Sequence, residues 1–205
     1  NSVVKEIKSY NFDSIDGILS VSPAYNKPSQ QGIYAHYEKI SENSPVDIII
    51  YNVPSRTGSN ISAKTTLKLA NNFKNIIAIK EASGDMIQIM EIIKNSPKTF
   101  SVISGDDVIT LPMIFLGAIG VISVVAMARP IEFSNMVNYA LNKNYENAKK
   151  IHYSLIELCH HIFAEGNPAG IKSSLKLLGI CESSLRLPLV NISEERIKIL
   201  KKILL

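Results

Sequence analysis

The feature that most constrains this chain is the alternation of short, β-rich apolar runs with segments of helical periodicity. The runs are Gly17–Ser22 (GILSVS), Asp47–Tyr51 (DIIIY), Ile76–Lys80 (IIAIK), Phe100–Ser104 (FSVIS) and Gly120–Val125 (GVISVV). They are nearly all apolar, the pattern expected of strands covered on both faces. The segments between them read as helices. Gly32–Glu42 sets Ile33, His36, Tyr37 and Ile40 on one stripe, and Ser62 stands as an N-cap before Ala63–Asn71. Gly84–Asn95 repeats Met86, Ile89, Met90 and Ile93 at helical spacing, and Asp106–Ala118 behaves alike. Such βαβα repetition predicts a parallel sheet with right-handed crossovers. No GxGxxG follows a strand and there is no P-loop. The fold class is therefore α/β, of the closed (β/α)8 barrel type rather than an open nucleotide-binding sheet.

After Val125 no further strand is convincing. Helices are expected over Ile131–Leu141, Tyr145–Phe163, Pro168–Leu178 and Ser193–Leu204. The second carries Ile151, Leu155, Leu158 and Ile162 on one stripe, and the last opens on Ser193 followed by two glutamates. A barrel of this type needs eight strands in about 250 residues. Five are visible, and Asn1–Asp16 reads as the helix and turn of a unit whose strand is missing. The expectation is a partial barrel carrying the active site over residues 1–130, lacking its first three strands. The last barrel helix and a C-terminal helical region then occupy residues 131–205.

Composition narrows the function. No apolar run reaches the roughly eighteen residues of a membrane span, and no secretory leader is recognisable, so a cytoplasmic protein without a membrane partner is expected. The net charge is +4, the lysines are scattered and tryptophan is absent, which argues against a nucleic-acid partner. Cys159 and Cys181 lack CxxC spacing and stand in apolar, helix-like contexts, where buried reduced thiols are expected. The cluster Cys159–His161 does not read as a metal site, because adjacent helical residues diverge by about 100°.

In barrels of this kind the chemistry gathers at the C-terminal ends of the strands. Those ends carry Tyr25, then Tyr51 and Arg56, then Lys80 with Glu81, then Gly105–Asp107, then Ile122 and Ser123. Taken singly, a lysine ending a strand marks the exit into water, a tyrosine there is a half-buried wedge, and a loop arginine is solvated. Together they form a chemical set. A desolvated lysine amine attacks a ketone to form an imine, and the protonated imine is an electron sink that yields a nucleophilic enamine. Phenols can relay the protons, and a guanidinium offers a bidentate fork to a substrate carboxylate.

The stretches YNVPSRTG, IKEASGD, SPAYNKPSQQG, SGDD and GVISVVA, with the tail motif GNPAGIKSSLKLLGI, closely resemble the dihydrodipicolinate synthase family. This family belongs to the pyruvate-dependent class I aldolases of the N-acetylneuraminate lyase superfamily. The resemblance covers essentially the whole chain. It implies a Schiff-base-forming lyase of lysine and diaminopimelate biosynthesis that condenses pyruvate with L-aspartate 4-semialdehyde and needs no cofactor or metal. On the same ground Lys80 is the imine-forming residue and Tyr51 a proton relay. Arg56 meets the carboxylate of the aldehyde substrate, and Ile122, through its backbone carbonyl, and Gly105 lie on the substrate-binding side. Tyr25 is the second relay, donated across the interface of a homodimer that pairs further into tetramers. The family's GTTGE segment has no counterpart in the chain. Ala24 replaces an aromatic that in some members lines a lysine feedback site. Two rivals are a sibling pyruvate-lyase aldolase, against which the SRTG after Tyr51 argues, and a non-catalytic barrel fragment.

Overall fold

In the computed structural model, which describes residues 2–205, the chain separates into two compact units. One comprises the residues up to Asp106 together with Phe115–Ile122, and the other Asp107–Ile114 with Ser123–Leu205.

The first unit is α/β. After helix α1 (Ser2–Ser9) come strand β1 (Gly17–Val21), helix α2 (Gln30–Ser41) and strand β2 (Asp47–Asn52). The short helix α3 (Pro54–Thr57), helix α4 (Ala63–Asn72), strand β3 (Ile76–Glu81), helix α5 (Met86–Asn95) and strand β4 (Ser101–Ser104) follow. The strands lie side by side in chain order, all parallel. Each expected run becomes a strand within a residue or so of its expected ends, except the fifth. There the pairing is one isolated bridge, Ser104 with Val121, made by the Ser104 N–H to Gly120 O and the Ile122 N–H to Ser104 O. The backbone then leaves the ladder. Asp107 accepts hydrogen bonds from the Ser123 hydroxyl and the Val124 and Val125 N–H groups. The Ser123 hydroxyl in turn accepts from the Ala126 N–H. Side-chain oxygens thus divert the donors a longer strand would use, and Val125–Met127 closes as a 3-10 turn.

The expectation of strands covered on both faces fails at β1, where Leu19 and Val21 are 45% and 46% exposed. This strand ends the sheet order, so among the described residues only one of its edges is paired. Helix α2 reaches this strand through Tyr37. Ile33, Tyr37 and Ile40 are fully buried, and the Tyr37 hydroxyl donates to Ser20 O at 2.9 Å. Burial pushes that phenol well above its ordinary range. Helix α4 starts on Ser62, whose hydroxyl accepts from the Thr65 N–H, as the sequence predicts. Helix α5 is rotated from its expected stripe: Gln88, Ile89 and Ile92 are buried, whereas Met90 is 42% exposed. Asp85 caps this helix through the Ile87 and Gln88 N–H groups, and hydrogen bonds draw the Gln88 side chain inward. A polar residue has taken a core position that hydrophobic periodicity assigns to a methionine.

The second unit is helical. It contains α7 (Pro130–Leu141), α8 (Tyr145–Phe163), α9 (Ala169–Leu177) and α10 (Glu194–Leu204). Helix α6 (Thr110–Leu116) lies across the two divisions of the sequence. Helix α8 buries Leu155, Leu158, Cys159 and Ile162. Ser193 caps α10 through the Arg196 N–H, and Glu165 grips the cap, accepting from the Ser193 N–H and hydroxyl at 2.7 Å each. The two cysteines differ, against expectation. Cys159 is buried on the apolar stripe of α8, but Cys181 is exposed, in a bend just beyond left-handed Gly179. Among the described residues no cluster of three or more histidine, cysteine or acidic side chains is arranged to hold a metal ion. No helix there is long and apolar enough to cross a membrane.

Gly170 marks a close approach of backbone in this unit. A Cβ there would lie 1.9 Å from Ile162 O, a backbone atom that cannot swing aside. Gly170→Ala is expected to destabilise the protein by about 3 kcal/mol through overpacking, read as a lower urea midpoint at unchanged slope. An unshifted midpoint would contradict this packing.

Candidate active site

Parallel pairing aligns the C-terminal ends of β2, β3 and β4. Tyr51 stands opposite Lys80 and Asn52 opposite Glu81. Lys80 in turn stands opposite Ile103, and Glu81 opposite Ser104. Because successive strand residues face opposite sides, one face of this end receives Tyr51 and Lys80 and the other receives Asn52 and Glu81.

On the first face the Lys80 ammonium lies 4.2 Å from the centroid of the Tyr51 ring. Cation and ring face attract at that separation. Lys80 and Tyr51 are both half-buried, so the amine is neither sealed in the core nor spread into solvent. Gly105 makes room for it. A Cβ at Gly105 would sit 2.8 Å from Ala82 Cβ and 3.0 Å from Lys80 Cε. The Gly105 N–H donates to Glu81 O at 2.8 Å, which holds this crossing in place.

The loop after β2 positions Arg56. Pro54 opens α3 at its first turn and left-handed Gly58 closes it, donating to Pro54 O. Arg56 is exposed at the end of this turn, and its charge acts on Tyr51. Burial raises the Tyr51 phenol above its ordinary value, and the Arg56 cation partly offsets that rise.

Of the other expected site residues, Ile122 lies beside the end of β4, its N–H on Ser104 O at 3.0 Å. Tyr25 does not join the cluster within one chain. Its backbone is left-handed, with φ of 70°, and the residue is 92% exposed. The Tyr25 N–H reaches Thr57 O at 3.3 Å, tying its loop to α3.

The opposite face holds Glu81, which the strand ends place beside Lys80 but to which the sequence assigns no role. Glu81 is 0% exposed. Its two oxygens accept from Asn52 Nδ2 at 3.1 Å each. The Ser83 N–H donates to Oε1 at 2.8 Å and Gln88 Nε2 to Oε2 at 3.2 Å. Asn52 also donates to Asn60 Oδ1 at 2.7 Å, and Asn60 donates to Gln88 Oε1 at 2.8 Å. Burial raises the Glu81 carboxyl above its usual range, against the pull of the Ser83, Asn52 and Gln88 hydrogen bonds. The sequence signal was an amide directly after Tyr51, a carboxylate directly after Lys80, and a glutamine within the first turn of α5.

The chain resembles known proteins over nearly all of its length. The model of the dihydrodipicolinate synthetase family matches residues 4–205. The 4-hydroxy-tetrahydrodipicolinate synthase of Parabacteroides distasonis is 56% identical over 189 residues, which cover 92% of this chain and 64% of that protein. The synthase of the same name from Flavobacterium psychrophilum is 50% identical over 193 residues, 94% of this chain and 66% of that one. Among solved structures, dihydrodipicolinate synthase from Aquifex aeolicus superposes with a TM-score of 0.91 at 44% identity, covering 93% of this chain and 65% of that one. The enzyme from Thermotoga maritima gives 0.95 at 37% identity, covering 98% and 69%. The chain thus spans slightly less than two thirds of the length of the first of these relatives.

The raised Tyr51 phenol can be checked directly. In a spectrophotometric titration, wild type minus Tyr51→Phe is expected to show one phenol ionising above its ordinary pH of 10.0. Ionisation at or below that pH would contradict the burial argument.

Proposed function

The chain belongs to the dihydrodipicolinate synthetase family, and from that premise we propose that its protein is a 4-hydroxy-tetrahydrodipicolinate synthase. In this reading it condenses pyruvate with L-aspartate 4-semialdehyde, without a cofactor. The four parallel strands are then part of a (β/α)8 barrel whose first three strands are not among these residues. Residues 1–130 carry the site and 131–205 supply the last barrel helix and the helical region.

The observation that carries the proposal is the pairing of Lys80 with Tyr51 at the aligned strand ends, the amine over the ring and Gly105 clearing its path. The neutral Lys80 amine attacks the ketone carbon of pyruvate, and the carbinolamine loses water to give a protonated imine. The pyruvate methyl then gives up a proton, and the resulting enamine carbon attacks the aldehyde. Tyr51 is placed to carry protons in these steps, because its ring lies against the Lys80 amine and a neutral phenol can both donate and accept a hydrogen bond. Arg56, exposed and within electrostatic reach of Tyr51, serves the carboxylate of the aldehyde substrate. Ile122 and Gly105 border the substrate. The exposed, left-handed Tyr25 supports a second relay that acts in a neighbouring subunit of a dimer or tetramer.

Two variants test these roles in the intact protein. Lys80→Ala is expected to lower turnover on the order of 10⁴-fold or more while the circular dichroism of the folded protein persists; unchanged turnover would sink the mechanism. Arg56→Ala is expected to raise KM for the aldehyde about 10- to 100-fold, the loss of one charge-assisted contact, with pyruvate use nearly unaltered. Impaired pyruvate use at normal aldehyde affinity would contradict its role.

A further inference from the structure

We propose that Glu81 is a positioning residue for the imine-forming lysine, acting through the amide network behind the site. The inference rests on the function proposed above and deepens it. Glu81 follows Lys80 directly and faces the other side of β3, so it cannot touch a substrate held by Lys80. It is nevertheless fully buried, and it accepts hydrogen bonds from three separate elements. Asn52 donates from the end of β2, the Ser83 N–H from the turn after β3, and Gln88 from α5. Asn60, from the loop after α3, closes the ring by bonding both Asn52 and Gln88. The Ile61 N–H adds a further tie to Asn52 Oδ1 at 2.9 Å.

The register makes this ring relevant to the chemistry. Asn52 and Glu81 are the pair next to Tyr51 and Lys80 on the same two strands. A clamp on one pair fixes the distance between the strands at the other. The Glu81 carbonyl also accepts from the Gly105 N–H, so the same residue sets the approach of the glycine that clears the Lys80 stem. An acceptor-only carboxylate is required, because the groups around it, two carboxamide NH₂ groups and a backbone N–H, all point donors at it. A glutamine at this position would turn its own NH₂ toward one of those donors.

The test is the rate of borohydride-trapped adduct formation with pyruvate, measured in the intact protein across pyruvate concentrations. Glu81→Gln is expected to lower the rate at saturating pyruvate by about 10- to 100-fold, as a displacement near 1 Å would, with the half-saturating concentration within about threefold of wild type. The double variant Glu81→Gln/Gln88→Glu exchanges donor and acceptor within the ring and is expected to recover most of the rate. A purely stabilising role would lower the melting temperature and leave the saturated rate of the folded protein intact, which would overturn the inference. Failure of the double variant to recover while the single variant is slow would also overturn it, since the ring would then not be the agent. Should Glu81→Gln not fold, Gln88→Met removes the donor to Glu81 Oε2 together with the acceptor of Asn60, and is expected to slow trapping; an unchanged rate there counts against the inference. A wild-type protein that forms no adduct overturns the imine reading and this inference with it. A wild-type adduct with an unimpaired Glu81→Gln overturns this inference alone.

Discussion

The parallel pairing of β2 with β3 at their C-terminal ends is the constraint on which the candidate site depends. Two consecutive register pairs, Tyr51 with Lys80 and Asn52 with Glu81, point to opposite sides of the sheet. The first pair is the one proposed to carry the chemistry, the second lies in the amide network, and the shared register couples their positions. A slip of one residue would exchange the faces, burying the lysine behind the sheet and presenting the glutamate in its place. The cost of keeping a carboxylate in the core, several kcal/mol when bare, is offset in part by hydrogen bonds that contribute about 1.5–3 kcal/mol each when charge-assisted. The result is a rigid seat under a side chain whose work depends on placement.

Much of this was legible in the sequence because it depends on local pattern. Four apolar runs became strands at nearly their expected ends, and the caps at Ser62 and Ser193 hold the donors their positions imply. Lys80, Tyr51 and Gly105 meet because each ends or follows a strand of a parallel sheet. What the pattern could not supply was competition between partners. The run from Gly120 is as apolar as the others, yet Asp107 and Ser123 capture its backbone donors and it stops at one bridge. The apolar spacing of α5 points to Met86, Ile89, Met90 and Ile93, but the face that is buried carries Gln88, Ile89 and Ile92, with Gln88 tied to Glu81.

The amide ring was harder to read for a related reason. Its members are spread from Asn52 to Gln88, and nothing in their spacing states that they converge; the strand register brings them together. Tyr25 is the opposite case. Its motif marked it as a functional residue, but a single chain leaves it 92% exposed, so its proposed role requires a second subunit. In the helical unit, Cys181 stands in an apolar, helix-like context that suggests burial, but it follows the left-handed turn at Gly179 and is exposed.

The central claim is that Lys80 is a nucleophile. The most direct measurement is to incubate the intact protein with pyruvate, reduce with borohydride, and map the modified peptide by mass spectrometry. The account requires one reduced pyruvate adduct on Lys80, absent when either reagent is omitted. A folded protein that shows no adduct, or carries it on another lysine, would contradict it.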